Sequence, residues 1–287
     1  MLSYIKRGLK NRFRVFNRKY GYYLHEKIVT FFFGNIDNLI SFNIDPEVCE
    51  KLNSKIKQMK KIKFSNYNSQ KNFKNFKKLD KKVWIYNKRD KFVYDQFDNT
   101  QEWFDIEDDE YIRNFTKSLF PLIKEYLKSH FSIVNIRVWN NLPNGKVVVG
   151  RDNLKRGSYR VHKDGFPPGH IKLMIYLNPL DEDHGYFVVE ENKSLPTDFP
   201  KVNIPIDDVK ALIKEKNFNI IKNKNPGLGI AFKNSDLWHK AVPGISKNRR
   251  VIELTILRTM KKVDELKYFY PSTPDTMYLI GPLQAYI

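Results

Sequence analysis

The chain has 287 residues, of which 41% are apolar and 14% aromatic, so it can bury one large core or form at most two domains. This composition argues against an intrinsically disordered chain. The formal net charge of +19 is compatible with nucleic acid, a membrane surface or an anionic substrate, and it does not distinguish among them. A single cysteine, Cys49, excludes internal disulfides and any cysteine-rich zinc site, and it fits a reducing compartment.

The first twenty residues predict a basic amphipathic helix, because they contain no acid and their apolar residues recur at spacings of three and four. The apolar stripe comprises Leu2, Ile5, Leu9, Phe13, Phe16 and Tyr20. Such a helix either attaches to an anionic membrane surface or docks on the protein's own core, and both readings stay open. The apolar cluster at 28–33 is too short to span a bilayer. We therefore expect a cytoplasmic protein, with membrane association through residues 1–20 as the alternative.

Two further helices are expected before the middle of the chain. The first begins at Asp45, an N-cap acid followed by Pro, and carries an apolar stripe to about residue 61. The second runs from residues 105–110 to about 130, with Pro121 kinking or restarting it. Between them, residues 61–82 are polar and basic with interleaved aromatics, which is typical of a solvated loop and less often of a nucleic-acid surface.

From Ser132 onward the apolar periodicity shifts towards two, which predicts short β-strands separated by Gly and Pro. The expected strands lie near Ile133–Trp139, Lys146–Gly150, Ser158–His162, Ile171–Leu177, Tyr186–Glu190, Gly229–Phe232 and Arg250–Thr259. Seven such strands favour a mainly β fold with flanking helices, in the form of a jelly roll whose two sheets open at one end around a site.

One short motif in this β-rich half carries chemistry. His162 and Asp164 flank a single residue, so in an extended segment their imidazole and carboxylate point the same way. A second histidine, His239, follows 75 positions after Asp164. Two histidines and one carboxylate leave coordination positions open, as in non-haem Fe(II) sites. Taken singly, each residue also has an ordinary structural explanation. His162 could be a polar loop residue, Asp164 could cap a turn, and His239 could be a half-buried neighbour of Trp238.

The set His162-x-Asp164, His239 and, after ten intervening residues, Arg250 resembles the Fe(II)- and 2-oxoglutarate-dependent dioxygenase superfamily, in the branch of prolyl and phytanoyl-CoA hydroxylases. The resemblance covers roughly residues 133–260. It implies a double-stranded β-helix, or jelly-roll, core in which His162, Asp164 and His239 bind Fe(II). It also implies 2-oxoglutarate and O2 as co-substrates, and hydroxylation of a substrate with release of succinate and carbon dioxide.

The resemblance further implies that a basic residue near the start of the last strand holds the distal carboxylate of 2-oxoglutarate. Arg249 and Arg250 are neighbours there and face opposite sides of the strand. If Arg250 faces inward, the aliphatic residues at alternate positions 252–256 accompany it, which suits a packed interior better than a set containing Glu253. We therefore assign Arg250, whose guanidinium offers paired donors to a carboxylate, and Arg249 stays the alternative.

Two residues of an earlier strand are further candidates for the same carboxylate. Tyr176 directly precedes Leu-Asn on the strand after the H-x-D motif, and the resemblance implies that its hydroxyl donates to 2-oxoglutarate. A core tyrosine is the competing explanation. Lys172 lies four residues earlier on the same face and is the less favoured substitute or assistant for the arginine.

We expect three regions: a basic helical region at 1–131 packing on the barrel, a catalytic core at 132–262 with an insertion at 191–228, and a tail at 263–287. The expected substrate is a small metabolite, a lipid or a glycan, with peptidyl residues as a further possibility. Two other functional classes stay open. One is a non-catalytic jelly-roll binding module, and the other is a basic protein directed at nucleic acid.

Overall fold

The computed structural model describes residues 22–62, 100–106, 109–143, 161–164, 169–190 and 218–260. Several expected elements lie outside these residues: the helix at 1–20, the strand at 146–150, most of the strand at 158–162, most of the insertion and the tail at 263–287. Within the described part, ten strands form two antiparallel sheets.

The strands are β1 (Leu39–Asn43), β2 (Lys61–Ile62), β3 (Gln101–Phe104), β4 (His130–Asn141), β5 (His170–Tyr176), β6 (Gly185–Glu190), β7 (Phe218–Ile221), β8 (Leu228–Phe232), β9 (His239–Pro243) and β10 (Arg249–Thr259). Seven of them form a large sheet in the order β1-β8-β5-β10-β4-β3-β2, and three form a small sheet in the order β7-β6-β9. The expected mainly β, jelly-roll architecture is confirmed.

Four helices are described: α1 (Tyr22–Phe33), α2 (Pro46–Lys57), α3 (Glu110–Ser118) and α4 (Phe120–Leu127). Asp45 caps α2 as expected, because its carboxylate accepts a hydrogen bond from the Glu47 amide at 2.7 Å. The helix expected over 105–130 is two helices that meet at Leu119, just before Pro121. The proline therefore restarts the helix, one of the two outcomes that its missing amide predicted.

The large sheet has two different faces. The face towards the small sheet shares a core with it, in which Met174, Ile230 and Phe232 meet Phe187 and Val189 of β6. The opposite face packs on the helices through a separate, mostly aliphatic cluster. The residues of this cluster on β5 and β10 are Ile171, Leu173, Ile175, Ile252, Leu254 and Ile256. The interior between the sheets is therefore lined by the remaining positions of β5 and β10, which alternate with the aliphatic ones.

Five of the ten described strands were not predicted: β1, β2 and β3 in the region read as helical, β7 in the segment read as an insertion, and β9, which begins at His239. β1 and β3 belong to the N-terminal region, and each pairs with a strand of the large sheet. β7 lies at the end of the segment expected as an insertion and pairs with β6. Such short strands carry little alternation of their own, so their pairing partners decide their conformation.

Arg258, at the end of β10, fastens α1 to the large sheet. Its side chain is fully buried, its Nη2 donates to the Gly34 carbonyl at 2.9 Å, and its Nη1 lies 3.3 Å from the Glu26 carboxylate. His25 of α1 also contacts the backbone carbonyl of Arg258 at 2.7 Å. Burial raises the pKa of Glu26, although the nearby guanidinium opposes that rise.

None of the described helices combines the length and the apolar character that crossing a bilayer requires.

We expect Arg258→Met to destabilise the fold by about 3–5 kcal/mol, because it leaves the Glu26 carboxylate buried without this guanidinium. Urea unfolding of the two single variants and of the double variant with Glu26→Gln measures the coupling. The double variant should recover part of the loss. A double variant whose cost equals the sum of the single costs would show that the two side chains are not coupled.

Candidate metal centre

The structure brings together the three residues that the sequence singled out as metal ligands. His162, Asp164 and His239 each offer one ligand atom, and these atoms all lie within 4.8 Å of one another. Nε2 of His162 is 3.5 Å from Oδ1 of Asp164, and Nε2 of His239 is 3.6 Å from Oδ2. Both histidines are 4% exposed, so the cluster is shielded from bulk water.

The backbone sets this geometry. His162 and His239 form an antiparallel bridge in which each amide donates to the other's carbonyl, at 3.0 and 2.9 Å. Paired residues project their side chains to the same face, so the two imidazoles lie with ring centroids 4.4 Å apart. Asp164 is held in turn by its own amide, which donates to the Asn234 carbonyl at 3.0 Å. A segment before β5 is thus pinned against β9 and the end of β8.

The donor set fits a divalent metal ion. Nδ1 of His239 lies 3.0 Å from the Leu237 carbonyl, a contact that favours a proton on Nδ1 and leaves the Nε2 lone pair facing Asp164. Metal-bound histidines are oriented in this way by the partner of their other ring nitrogen. Two imidazole nitrogens and one carboxylate on one side leave the remaining positions of an octahedral ion open, as non-haem Fe(II) requires.

A lysine ammonium lies against the carboxylate of the cluster. Lys172 of β5 contacts Oδ2 of Asp164, which also accepts a hydrogen bond from the Asn234 side-chain amide at 3.2 Å. Burial alone would raise the pKa of Asp164, but Lys172 and hydrogen bonds from His162 and His239 hold this pKa well below its usual range. The carboxylate is therefore ionised and ready to bind a cation.

Lys172 also contacts a second carboxylate, which is paired in turn with an arginine. Its Nζ is 3.5 Å from the Glu253 carboxylate of β10, and Nη1 of Arg137 on β4 lies 3.5 Å from the other oxygen of Glu253. The guanidinium of Arg137 lies 5.8 Å from the Trp103 ring, which stacks on Trp139 at 5.2 Å and 17°. Charged and aromatic side chains thus line the interior from Asp164 to the two stacked tryptophans.

The facing expected for Arg250 is wrong. Its guanidinium lies on the helical side of the large sheet, where Nε donates to the Asn140 side chain at 2.9 Å and Nη1 to the Asn53 carbonyl at 3.0 Å. It also lies 5.4 Å from the Phe104 ring centroid. The reason is that the aliphatic positions of β10 pack on the helices, whereas Glu253 and its alternating neighbours line the interior.

Arg249 is therefore the arginine that reaches the interior. Its side chain is 1% exposed, and its Nη1 donates to the carbonyls of Tyr186 and Val242 at 2.8 and 3.1 Å. Its guanidinium carbon lies 5.8 Å from the Tyr176 ring centroid. With the Asn141 amide oxygen turned towards the guanidinium, Asn141 accepts from Nε and Nη2 at 3.3 and 3.2 Å.

Tyr176 and Lys172 share the interior face of β5 but lie in different places. Tyr176 is opposite Val251 in the register, beside Arg249, whereas Lys172 is opposite Thr255 and beside the metal ligands. Burial raises the pKa of Tyr176, so its hydroxyl stays protonated and can donate a hydrogen bond. Their expected contacts with 2-oxoglutarate stay predictions.

Sequence reasoning missed three polar residues around the cluster. Glu253 and Arg137 were not recognised, although a charged residue within an otherwise apolar strand is the signal that could have found Glu253. Asn234 gave no comparable signal, because it lies in a turn and reaches Asp164 only through the tertiary fold.

Comparison with known proteins finds likeness at the level of structure. No protein-family model matches the chain, and no curated protein sequence matches it either. Solved structures that resemble it include HygX from Streptomyces hygroscopicus, with nickel and 2-oxoglutarate bound, at 9% identity and a TM-score of 0.45 over 84% of this chain and 93% of HygX.

Two further structures give similar values. The viral collagen prolyl hydroxylase vCPH from Paramecium Bursaria Chlorella virus-1, a 2-oxoglutarate complex, has 12% identity and a TM-score of 0.37 over 78% of this chain and 97% of vCPH. EctD from S. alaskensis, with 2-oxoglutarate and 5-hydroxyectoine, has 12% identity and a TM-score of 0.43 over 82% of this chain and 79% of EctD. These likenesses are remote, so the chemistry proposed for this chain rests on its own residues.

We expect Lys172→Met to raise the pKa of Asp164, because it removes the charge that contributes most to lowering it. A carboxyl with a lowered folded-state pKa stabilises the fold above its unfolded pKa, and this contribution is lost as the pH falls through the folded-state pKa. The acid loss of stability should therefore begin at higher pH in the variant. Urea unfolding across a pH series measures the shift.

Lys163→Met is the matched control for this experiment. Lys163 is buried and lies between His162 and Asp164 in the sequence, but its ammonium is 5.0 Å from the Trp238 ring centroid. The Lys163→Met variant should not change the pH at which stability begins to fall in acid. An identical acid limb in wild type and Lys172→Met would contradict the role assigned to Lys172.

Proposed function

We propose that this chain is an Fe(II)- and 2-oxoglutarate-dependent oxygenase that hydroxylates a small metabolite, a lipid or a glycan and releases succinate and carbon dioxide. The observation that carries the proposal is the convergence of His162, Asp164 and His239 on one point, with their ligand atoms within 4.8 Å. A buried arginine and a buried tyrosine lie together in the same interior and would supply the second half of such a site.

The three ligands would hold the metal ion, and each is prepared by its surroundings. The Leu237 carbonyl orients the His239 ring, and Lys172 with Asn234 contacts Oδ2 of Asp164. Oδ1 of Asp164 lies 3.5 Å from Nε2 of His162 and Oδ2 lies 3.6 Å from Nε2 of His239, so the carboxylate faces both imidazoles. Fe(II) with 2-oxoglutarate and O2 supplies, when bound, an oxidant that can remove hydrogen from an unactivated carbon.

Arg249 and Tyr176 are the residues proposed to hold the distal carboxylate of 2-oxoglutarate. A guanidinium cannot lose its charge and offers paired donors to a carboxylate, and a protonated tyrosine hydroxyl adds a third donor. This proposal replaces Arg250, whose side chain lies on the other face of the sheet. Lys172 is proposed to position Asp164 instead of binding 2-oxoglutarate, because its ammonium contacts that carboxylate.

The stacked Trp103 and Trp139, beside Arg137, favour a substrate with a flat or ring-shaped part. Aromatic walls with a few placed polar groups are typical of small-molecule sites. Membrane contact through residues 1–20 stays part of the proposal. The binding-module alternative differs in requiring no metal affinity, and the nucleic-acid alternative differs in requiring steeply salt-dependent binding to an arbitrary oligonucleotide.

The first test is an anaerobic titration of the metal-free protein with Fe(II) and 2-oxoglutarate, followed by the visible charge-transfer band of the complex. The band should appear in wild type and be absent in His239→Ala, which lacks one ligand. Circular dichroism checks that the variant is folded. A folded wild type without the band would overturn the proposal and favour the binding module.

The second test separates the two neighbouring arginines. Arg249→Ala should weaken 2-oxoglutarate binding to the metal-loaded protein by about a hundredfold, the loss expected for a buried charge-assisted pair. Arg250→Ala should lower stability, because it removes contacts with Asn53 and Asn140, but should leave 2-oxoglutarate affinity within about twofold. Calorimetric titration measures both affinities, and the reverse pattern would restore Arg250 to the role.

A further inference from the structure

In the described part of the chain, the exposed apolar residues are concentrated on one helix. Of the seven large hydrophobic residues that are exposed in the described part of the chain, four belong to α1. They are Tyr23 at 54%, Leu24 at 60%, Phe31 at 83% and Phe32 at 64% exposure. Single exposed apolar residues are ordinary, but four on a 12-residue helix form a patch that calls for an explanation.

Three of these residues lie opposite the side by which α1 is attached, whereas Phe32 lies beside His25 around the helix. His25 and Val29 are buried against the sheet, and Arg258 fixes the helix through Glu26 and Gly34. With about 100° between successive residues, Tyr23, Leu24 and Phe31 lie within one arc on the outer side. A helix that is apolar on both sides is typically covered on both sides.

The sequence that leads into α1 carries charge of almost one sign. Glu26 is the only acid among the first 36 residues, and its carboxylate is turned inward to Arg258. The basic residues of the same stretch are Lys6, Arg7, Lys10, Arg12, Arg14, Arg18, Lys19 and Lys27. A partner of the outer side of α1 therefore meets apolar side chains that directly follow a strongly basic stretch of the sequence.

We propose that the outer face of α1, defined by Tyr23, Leu24 and Phe31, is a docking surface for an anionic lipid bilayer. Phenyl rings and a leucine can enter the boundary between headgroups and acyl chains, while the basic residues meet the anionic headgroups. Each basic residue near such a surface raises affinity by about fivefold.

Other occupants fit these observations less well. A second copy of the chain would bring two strongly basic segments together, which costs electrostatic free energy. Nucleic acid would satisfy the charge, but Leu24 offers its bases neither a stacking surface nor a hydrogen bond. The lipid surface is the partner that matches both the apolar rings and the charge.

The test is co-sedimentation of the full-length protein with vesicles of phosphatidylcholine alone and of equimolar phosphatidylcholine and phosphatidylserine. Wild type should pellet with the anionic vesicles and not with the neutral ones. The double variant Leu24→Ser with Phe31→Ser should bind at least about tenfold more weakly, because two apolar side chains are lost from the interface. Ile245→Ser is the matched control, since Ile245 is 58% exposed and lies away from α1.

Several results would overturn the proposal. Wild type that pellets with neither vesicle, or an α1 variant that pellets as well as wild type, would do so directly. If wild type does not pellet and the α1 variant unfolds at lower urea, residues 1–21 cover the face as part of the fold. If wild type does not pellet and shows a concentration-dependent size that the variant loses, the occupant is a second copy. The Fe(II) titration of the same variant is independent of these outcomes, so the two proposals fail separately.

Discussion

The ionised carboxylate of Asp164 is the group on which the interior of this protein depends. Its side chain is 11% exposed, and it is kept charged by the Lys172 ammonium on one side and by two imidazoles on the other. Lys172 is shared with Glu253, which in turn contacts Arg137. Two carboxylates and two cations thus form a neutral group between the sheets, and removing one member would leave an uncompensated buried charge. A divalent ion with a dianionic co-substrate adds no net charge to this group, whereas the metal ion alone adds two positive charges.

This charged interior explains why the two faces of the large sheet are used so differently. On β10 the aliphatic positions pack on the helices, and the positions carrying Arg249 and Glu253 face the small sheet. In a small barrel without a site, the aliphatic set would be the inner one. Here the outer face is also buried, because helices α2 to α4 cover it, so both sets of positions are inside the protein and the polar set faces the proposed site.

Much of the fold and the site could be predicted from the sequence because both are encoded locally. The H-x-D spacing places His162 and Asp164 on one side whatever the surrounding fold, and the alternation in β5 and β10 is visible in the residues themselves. The facing of Arg250 could not be predicted in the same way, because it depends on which buried face the helices cover. Asn234 and the short strands β1, β3 and β7 were hidden for a related reason, since each acquires its role only through a distant partner.

The bridge between His162 and His239 connects two segments that are far apart in the sequence. His162 belongs to the segment before β5 in the large sheet, and His239 opens β9 in the small sheet, so the two imidazoles meet only when the sheets are packed together. Asp164 adds a third attachment, through its amide to the carbonyl that follows β8. A metal ion bound by all three side chains therefore recognises the assembled sandwich and not the unfolded chain. By linkage, such an ion stabilises the packing of the two sheets in proportion to the logarithm of its concentration over its dissociation constant. The same argument explains why the ligands come from segments that backbone hydrogen bonds already hold, since a preformed site loses less conformational entropy on binding than one that the ion must assemble.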